Sequence, residues 1–194
     1  TDNTQPLLFL VEYSLASYLI NLGIEPQYII GHSLGEYVGA CISNVFSFED
    51  GLFMLYHRGR LMNALPEGDM LSAVISENKA KELISNAIDL AAVNSEDQCV
   101  FSGSKEAIEK LNNKLNELEI TNKIIDTSHA FHSTLMAPML KEFEDICKQV
   151  HFNSPKFKII SNISGEIISD QEINKHTYWR DHIISPVMFN KGMN

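Results

Sequence analysis

The chain has 194 residues, 44% of them hydrophobic and 21% charged, and a formal net charge of −10. That is enough for one sizeable core, or a core with a small satellite. The acidity argues against nucleic acid or an anionic membrane surface as partner. No apolar run approaches the roughly 18–20 residues of a membrane span; Leu7-Leu8-Phe9-Leu10-Val11 is broken by Glu12. Cys41, Cys99 and Cys147 are far apart and odd in number. They match neither a disulfide framework nor a metal spacing, so buried, reduced thiols in a cytoplasmic protein are expected, with no metal. The chain opens on Thr1 without a Met or a secretory signal and stops at Asn194 with no closing element. A piece of a longer protein is the expectation.

In chain order, Pro6 suits the first turn of a helix over 5–22, where Leu8, Val11, Leu15, Tyr18 and Leu19 recur at helical spacing before Gly23. Gln27–Ile30 reads as a short strand, and 34–43 and 48–65 read as helices, closed by a Pro66-Glu67-Gly68 turn. Met70–Ile75 alternates like a strand, and Ser76 caps a helix reaching Ala87. Leu90–Val93 and Gln98–Ser102 are strands, Lys105–Leu118 a strongly periodic helix, and Asn122–Asp126 a strand. This βαββαβ order is that of a ferredoxin-like subdomain over 68–127, inserted between core segments 1–67 and 128–194. A long amphipathic helix over 135–150, a strand over 155–160 and a short helical or irregular piece over 176–189 follow.

Gly31-His32-Ser33-Leu34-Gly35 lies between a strand and a helix, the context of a nucleophile elbow. Glycines two residues either side of the serine are expected to relieve collisions in the strained turn. The helix that follows offers positive potential and free N–H groups, with the Leu34 N–H as one oxyanion donor. Ser33 therefore takes up an acyl group and needs a base. Seven histidines are available, and chemistry alone does not choose among them. His132, in His129-Ala-Phe-His132, sits where the inserted segment ends.

Four ordered motifs then carry a resemblance: Gly31-His32-Ser33-Leu34-Gly35-Glu36, Arg58-Gly59-Arg60-Leu61-Met62, His129-Ala130-Phe131-His132-Ser133, and Tyr178-Trp179 followed by Ser185-Pro186-Val187. Thr4-Gln5-Pro6 and Ile160-Ser161-Asn162 fit as well. Over essentially the whole chain the sequence resembles the malonyl-CoA:acyl carrier protein transacylases, most of all the acyltransferase domains of modular polyketide synthases. The resemblance implies an α/β fold, an α/β-hydrolase-like core with an inserted ferredoxin-like subdomain. It implies Ser33 as nucleophile, His132 as base, and Arg58 gripping the malonyl carboxylate with a planar fork. It implies that the main-chain carbonyl of His182 orients the base. His32, His129 and Phe131 would line the substrate site, with Phe131 filling the space beside the α-carbon. Malonyl-CoA is then the donor, the phosphopantetheine thiol of an acyl carrier protein the acceptor, neighbouring synthase domains the partners, and no cofactor is bound. The family carries a Gly-Gln-Gly segment upstream whose Gln backbone gives a second oxyanion donor. That segment is absent from the 194 residues.

Two rivals remain open. A serine esterase or thioesterase would place an acid between Ser33 and His132 in chain order, and Asp126 lies there. A non-catalytic scaffold domain is the other.

Overall fold

The computed structural model describes residues 2–194. Helix α1 (Thr4–Asn21) leads to β1 (Tyr28–Ile30), α2 (Leu34–Ile42) and α3 (Phe48–Asn63). Then come β2 (Asp69–Val74), α4 (Glu77–Lys81), β3 (Ile88–Ser95), β4 (Gln98–Gly103), α5 (Lys105–Glu117) and β5 (Asn122–Ile125). A 3-10 turn (Thr134–Met139) precedes α6 (Leu140–Cys147) and β6 (Lys158–Ile160), and α7 (Asp170–Ile173), α8 (His176–Asp181) and α9 (Phe189–Met193) close the chain.

Two sheets result. β1 and β6 pair in parallel, Tyr28 opposite Lys158, although 130 residues separate those two partners. The larger core packs α1, α2, α3, α6 and α8 around Phe9, Tyr37, Met54, Phe143 and Trp179, all fully buried. The second sheet is antiparallel in the order β3-β4-β2-β5. Its strands bury alternate residues on two faces, as a period of two demands. Leu71, Ala73, Cys99 and Phe101 pack on Ile108, Leu111 and Leu115 of α5. Ala92 and Val100 meet Val187, Met70 and Phe189 on the other face. Val187 also bridges to the β3 edge in parallel, donating to the Ala91 carbonyl and accepting from the Val93 N–H, both at 2.9 Å.

Three elements are shorter than expected. α4 ends at Lys81 instead of reaching Ala87, because Ser85 and Ile88 exchange main-chain hydrogen bonds and the Ser85 hydroxyl accepts from the Ala87 N–H. The helix expected over 135–150 is a 3-10 turn followed by α6, since Pro138 has no N–H to give an α-helical ladder. β6 begins only at Lys158, because the N–H groups of Lys156 and Phe157 are taken by Ser43. The three cysteines are free and buried, as expected. Among the described residues no helix is long and apolar enough to cross a membrane, and no cluster of His, Cys, Asp and Glu could hold a metal.

Candidate active site

Ser33 sits between β1 and α2 with φ 52° and ψ −108°, a left-handed strain that costs about 1–3 kcal/mol and persists only when its surroundings enforce it. Gly31 enforces it sterically. A Cβ there would lie 2.0 Å from the Gly35 carbonyl carbon and 2.2 Å from the Glu36 nitrogen. Gly35 is different: its added Cβ would meet only Glu12 Oε2, at an ordinary 3.7 Å. The expectation that both glycines relieve a collision therefore holds for Gly31 alone. The Leu34 N–H opens α2 and has no partner within that helix, as at any helix start.

Ser33 Oγ lies 2.7 Å from His132 Nε2, although 99 residues separate them. On its other side the His132 Nδ1 donates to the main-chain carbonyl of Ser185 at 2.9 Å. A carbonyl can only accept, so Nδ1 carries the proton and Nε2 is free to accept from the serine. This corrects the expectation for His182, whose carbonyl was to orient the base. The chain leaves α8 at Asp181, and it is Ser185, three residues beyond His182, that faces the imidazole. His182 is instead a buried ring, 1% exposed, packed edge-on to Tyr37 with Nε2 3.5 Å from Glu36 Oε2. Burial above all, then the neighbouring His182 and Arg58, holds the His132 pKa well below the usual imidazole value, against an upward pull from the Ser185 carbonyl.

Arg58, 3% exposed, projects from α3 into the same site. Its Nη1 donates to Gln5 Oε1 at 2.6 Å and its Nη2 lies 3.4 Å from Ser33 Oγ. The guanidinium carbon stands 5.6 Å from the centre of the Tyr37 ring. Among the described residues no carboxylate lies within ion-pair distance of it, and its Nε is buried without a partner. Burial lowers its pKa. A buried guanidinium with no counter-ion is costly by itself and becomes favourable once an anion arrives. Arg60, two residues on, is exposed and pairs with Glu142 at 3.1 Å.

Ser33, His132, Arg58 and Gln5 line a cavity of about 620 Å³. Leu34, Phe131 and His32 line it too, and His32 also hydrogen-bonds Asn94 of β3 at 2.9 Å. His129, expected in the substrate site, is not among the lining residues. It is buried, with Nε2 donating to the Leu65 carbonyl at 3.2 Å and Nδ1 2.7 Å from the Ser128 hydroxyl. The two rings hold different partners: His129 bonds Leu65 and Ser128, whereas His132 bonds Ser33 and Ser185. A second cavity, about 560 Å³ and mostly apolar, lies among α1, β1 and α2 and shares only His32 with the first. Gln5, Tyr37 and Ser185 were not foreseen. Gln5 stood in the quoted Thr4-Gln5-Pro6 motif, but neither its burial nor its bond to Arg58 is written there.

A serine hydroxyl on a strained strand–helix turn, bonded to a histidine whose far nitrogen is fixed, with helix N–H groups above it, defines the class of serine acyl-transfer sites. The chain belongs to the acyl transferase domain family, whose profile matches residues 1–194. It is 32% identical over 188 residues to one of the phenolphthiocerol/phthiocerol polyketide synthase subunits of Mycobacterium tuberculosis, covering 97% of this chain and 13% of that protein. It is 36% identical to the mycoketide-CoA synthase of the same organism, covering 97% of this chain and 5% of that one. Among solved structures, the acyltransferase domain of the second module of the salinomycin polyketide synthase superposes with a TM-score of 0.94 at 34% identity, over 99% of this chain and 46% of that one. FabD from Acinetobacter baumannii superposes at 0.93 and 27%, over 100% of this chain and 65% of that one. The chain thus spans a small part of these synthases and under two thirds of either solved chain.

Proposed function

We propose that the chain carries the acylating centre of a malonyl-CoA:acyl carrier protein acyltransferase, serving polyketide or fatty acid chain extension. In this reading segments 1–67 and 128–194 form an α/β-hydrolase-like core and 68–127 a ferredoxin-like subdomain. The order β3-β4-β2-β5 supports the latter, being that of a split βαβ sheet. The single observation that carries the function is Arg58: a buried cation without a counter-ion, 3.4 Å from Ser33 Oγ.

His132 Nε2 takes the Ser33 proton as Oγ attacks the thioester carbonyl of malonyl-CoA. The Leu34 N–H faces the oxyanion, and by family resemblance the backbone of an upstream Gly-Gln-Gly segment supplies a second donor. The tetrahedral intermediate collapses, and His132 returns the proton to the departing CoA sulfur. The phosphopantetheine thiol of a carrier protein then gives its proton to His132 and attacks malonyl-Ser33; the ester bond to Oγ breaks, and His132 returns the proton to Oγ. The Ser185 carbonyl stabilises the imidazolium at each stage without taking a proton. Arg58 grips the distal carboxylate through two N–H bonds, which fixes the ester carbonyl beside its donors. Phe131 restricts the space beside the α-carbon. The protein works on soluble partners in the cytoplasm, with neighbouring synthase domains or a free carrier protein presenting the thiol.

Intact-protein mass after incubation with equal acetyl-, malonyl- and methylmalonyl-CoA tests the reading. A malonyl adduct on Ser33 that is discharged by a carrier protein is expected. An adduct on another residue, or a preference for acetyl, would overturn it.

A further inference from the structure

Asn162 follows β6, is 2% exposed and does not line the substrate cavity. Its side chain nevertheless holds the elbow. Oδ1 accepts from the Ser33 N–H and Nδ2 donates to the Gly31 carbonyl, both at 2.6 Å. The partners fix which end of the carboxamide is which, since an N–H only donates and a carbonyl only accepts.

Its main chain reaches two further parts of the site. The Asn162 N–H donates to Glu36 Oε2 at 2.7 Å, and Glu36 is a fully buried carboxylate in the first turn of α2. The Tyr178 hydroxyl donates to the other Glu36 oxygen, and Tyr178 also sits 2.8 Å from the Ser161 hydroxyl. The Asn162 carbonyl accepts from the Met188 N–H at 2.7 Å. Met188 ends the segment whose Ser185 carbonyl holds His132, and the opposite side of that segment is clipped to β3 through Val187. One residue therefore touches the strand end, the serine backbone, the next helix and the strap that aims the imidazole.

We propose that Asn162 is a positioning residue. Its carboxamide holds Ser33 in the strained turn, and its main chain sets the distance between the serine and the carbonyl that orients His132. The inference deepens the acyl-serine reading above and rests on it for the identity of the reaction.

The test uses two probes on the protein: a fluorophosphonate, which reports how reactive Ser33 is whatever its natural donor, and malonyl-CoA. In Asn162→Asp an ionised oxygen faces the Gly31 carbonyl and the turn is pushed apart. When protonated, the acid donates to Gly31 and still accepts from Ser33, so the native pattern returns. Fluorophosphonate labelling at pH 8 should fall about 10- to 100-fold, the scale for misplacing reacting groups by an ångström or less. The ratio of variant to wild-type rate should then climb toward unity as pH falls to 5, a recovery that general loosening of the fold would not produce. Asn162→Ala, which brings no charge, should lose a similar factor at every pH and carries the test should the aspartate variant fail to fold. Labelling of Asn162→Ala within twofold of wild type, or an Asn162→Asp ratio that stays flat with pH while the melting temperature drops, would overturn the proposal. Wild-type protein that reacts with fluorophosphonate but not with malonyl-CoA would overturn the functional reading and leave the role of Asn162 standing.

Discussion

Arg58→Met separates binding of a carboxylated acyl group from integrity of the fold. The substitution keeps the buried apolar stem and deletes the charge. With malonyl-CoA the variant loses a bidentate pair of charge-assisted hydrogen bonds, each contributing about 1.5–3 kcal/mol, so about 3–6 kcal/mol together. At about 1.4 kcal/mol per decade, kcat/KM for malonyl transfer should fall about 10²- to 10⁴-fold. With acetyl-CoA there is no carboxylate to lose, and transfer should stay within about threefold of wild type or rise. Stability should move differently. The variant gives up the 2.6 Å bond to Gln5 and the contact with the Tyr37 ring, worth about 2–3 kcal/mol together. It also sheds the desolvation of an unpaired guanidinium, itself several kcal/mol. The melting temperature should therefore hold or rise by a few degrees, since about 1 kcal/mol corresponds to about 2–4 °C at this size. Steady-state assays with both donors and a calorimetric scan read all three quantities. Equal losses on malonyl and acetyl, or a melting temperature lowered in proportion to the activity lost, would refute the reasoning.

Gly31→Ala should lose at least about 3 kcal/mol of stability and all fluorophosphonate labelling, because its Cβ collides with backbone at 2.0 Å. Gly35→Ala should be stabilising by about 0.5–1 kcal/mol, the helix preference of alanine, and retain labelling. Burial and the neighbouring His182 and Arg58 hold the His132 pKa below the usual imidazole value, so the acid limb of kcat/KM should lie below pH 6.5, and Arg58→Met should move it upward by removing one cause of the depression. The same depression means that the unfolded chain binds a proton at this site before the folded one does. Stability should therefore be complete above about pH 6.5 and decline as pH drops from there toward the folded value. Phe131→Ser should raise methylmalonyl relative to malonyl transfer about 10- to 100-fold in a competition assay, the worth of one methyl group in a pocket.

What the sequence makes legible is what is local. Strand, glycine, serine and helix follow one another within 15 residues of the Gly31–Gly35 motif, so the elbow reads directly from its order. The βαββαβ alternation likewise predicts the four strands, and of their pairings the β3–β4 hairpin is local in sequence. Long-range partners are a different matter. Arg58 is recognisable by motif, but its bond to Gln5 spans 53 positions, and the Asn162 bond to Ser33 spans 129. Neither leaves a trace in spacing or periodicity, since each depends on how helices and sheets stack. His129 shows the opposite hazard: closeness to His132 in sequence suggests a shared site, yet its ring is buried against the Leu65 carbonyl and does not line the cavity. The 135–150 helix fails for a simpler reason, that apolar periodicity continues through Pro138 while the hydrogen-bond ladder does not.

The choice between acyltransferase and esterase turns on Asp126. A hydrolase triad would need its carboxylate on His132 Nδ1, and Asp126 does line the cavity. Nδ1 is already bonded to the Ser185 carbonyl at 2.9 Å, and an imidazole N–H directed at one acceptor is not available to another. Asp126 is exposed just beyond β5, and a bond from it to Nδ1 would have to replace the Ser185 bond. Asp126→Asn should therefore change the Ser33 acylation rate by less than about threefold. A triad acid would instead cost about 10⁴-fold, because its amide leaves the imidazole in the wrong tautomer. Pre-steady-state acylation by malonyl-CoA, followed by quench and mass measurement, distinguishes these by more than three decades. A fall of 10³-fold or more would place a carboxylate on the base and return the site to the hydrolase mechanism.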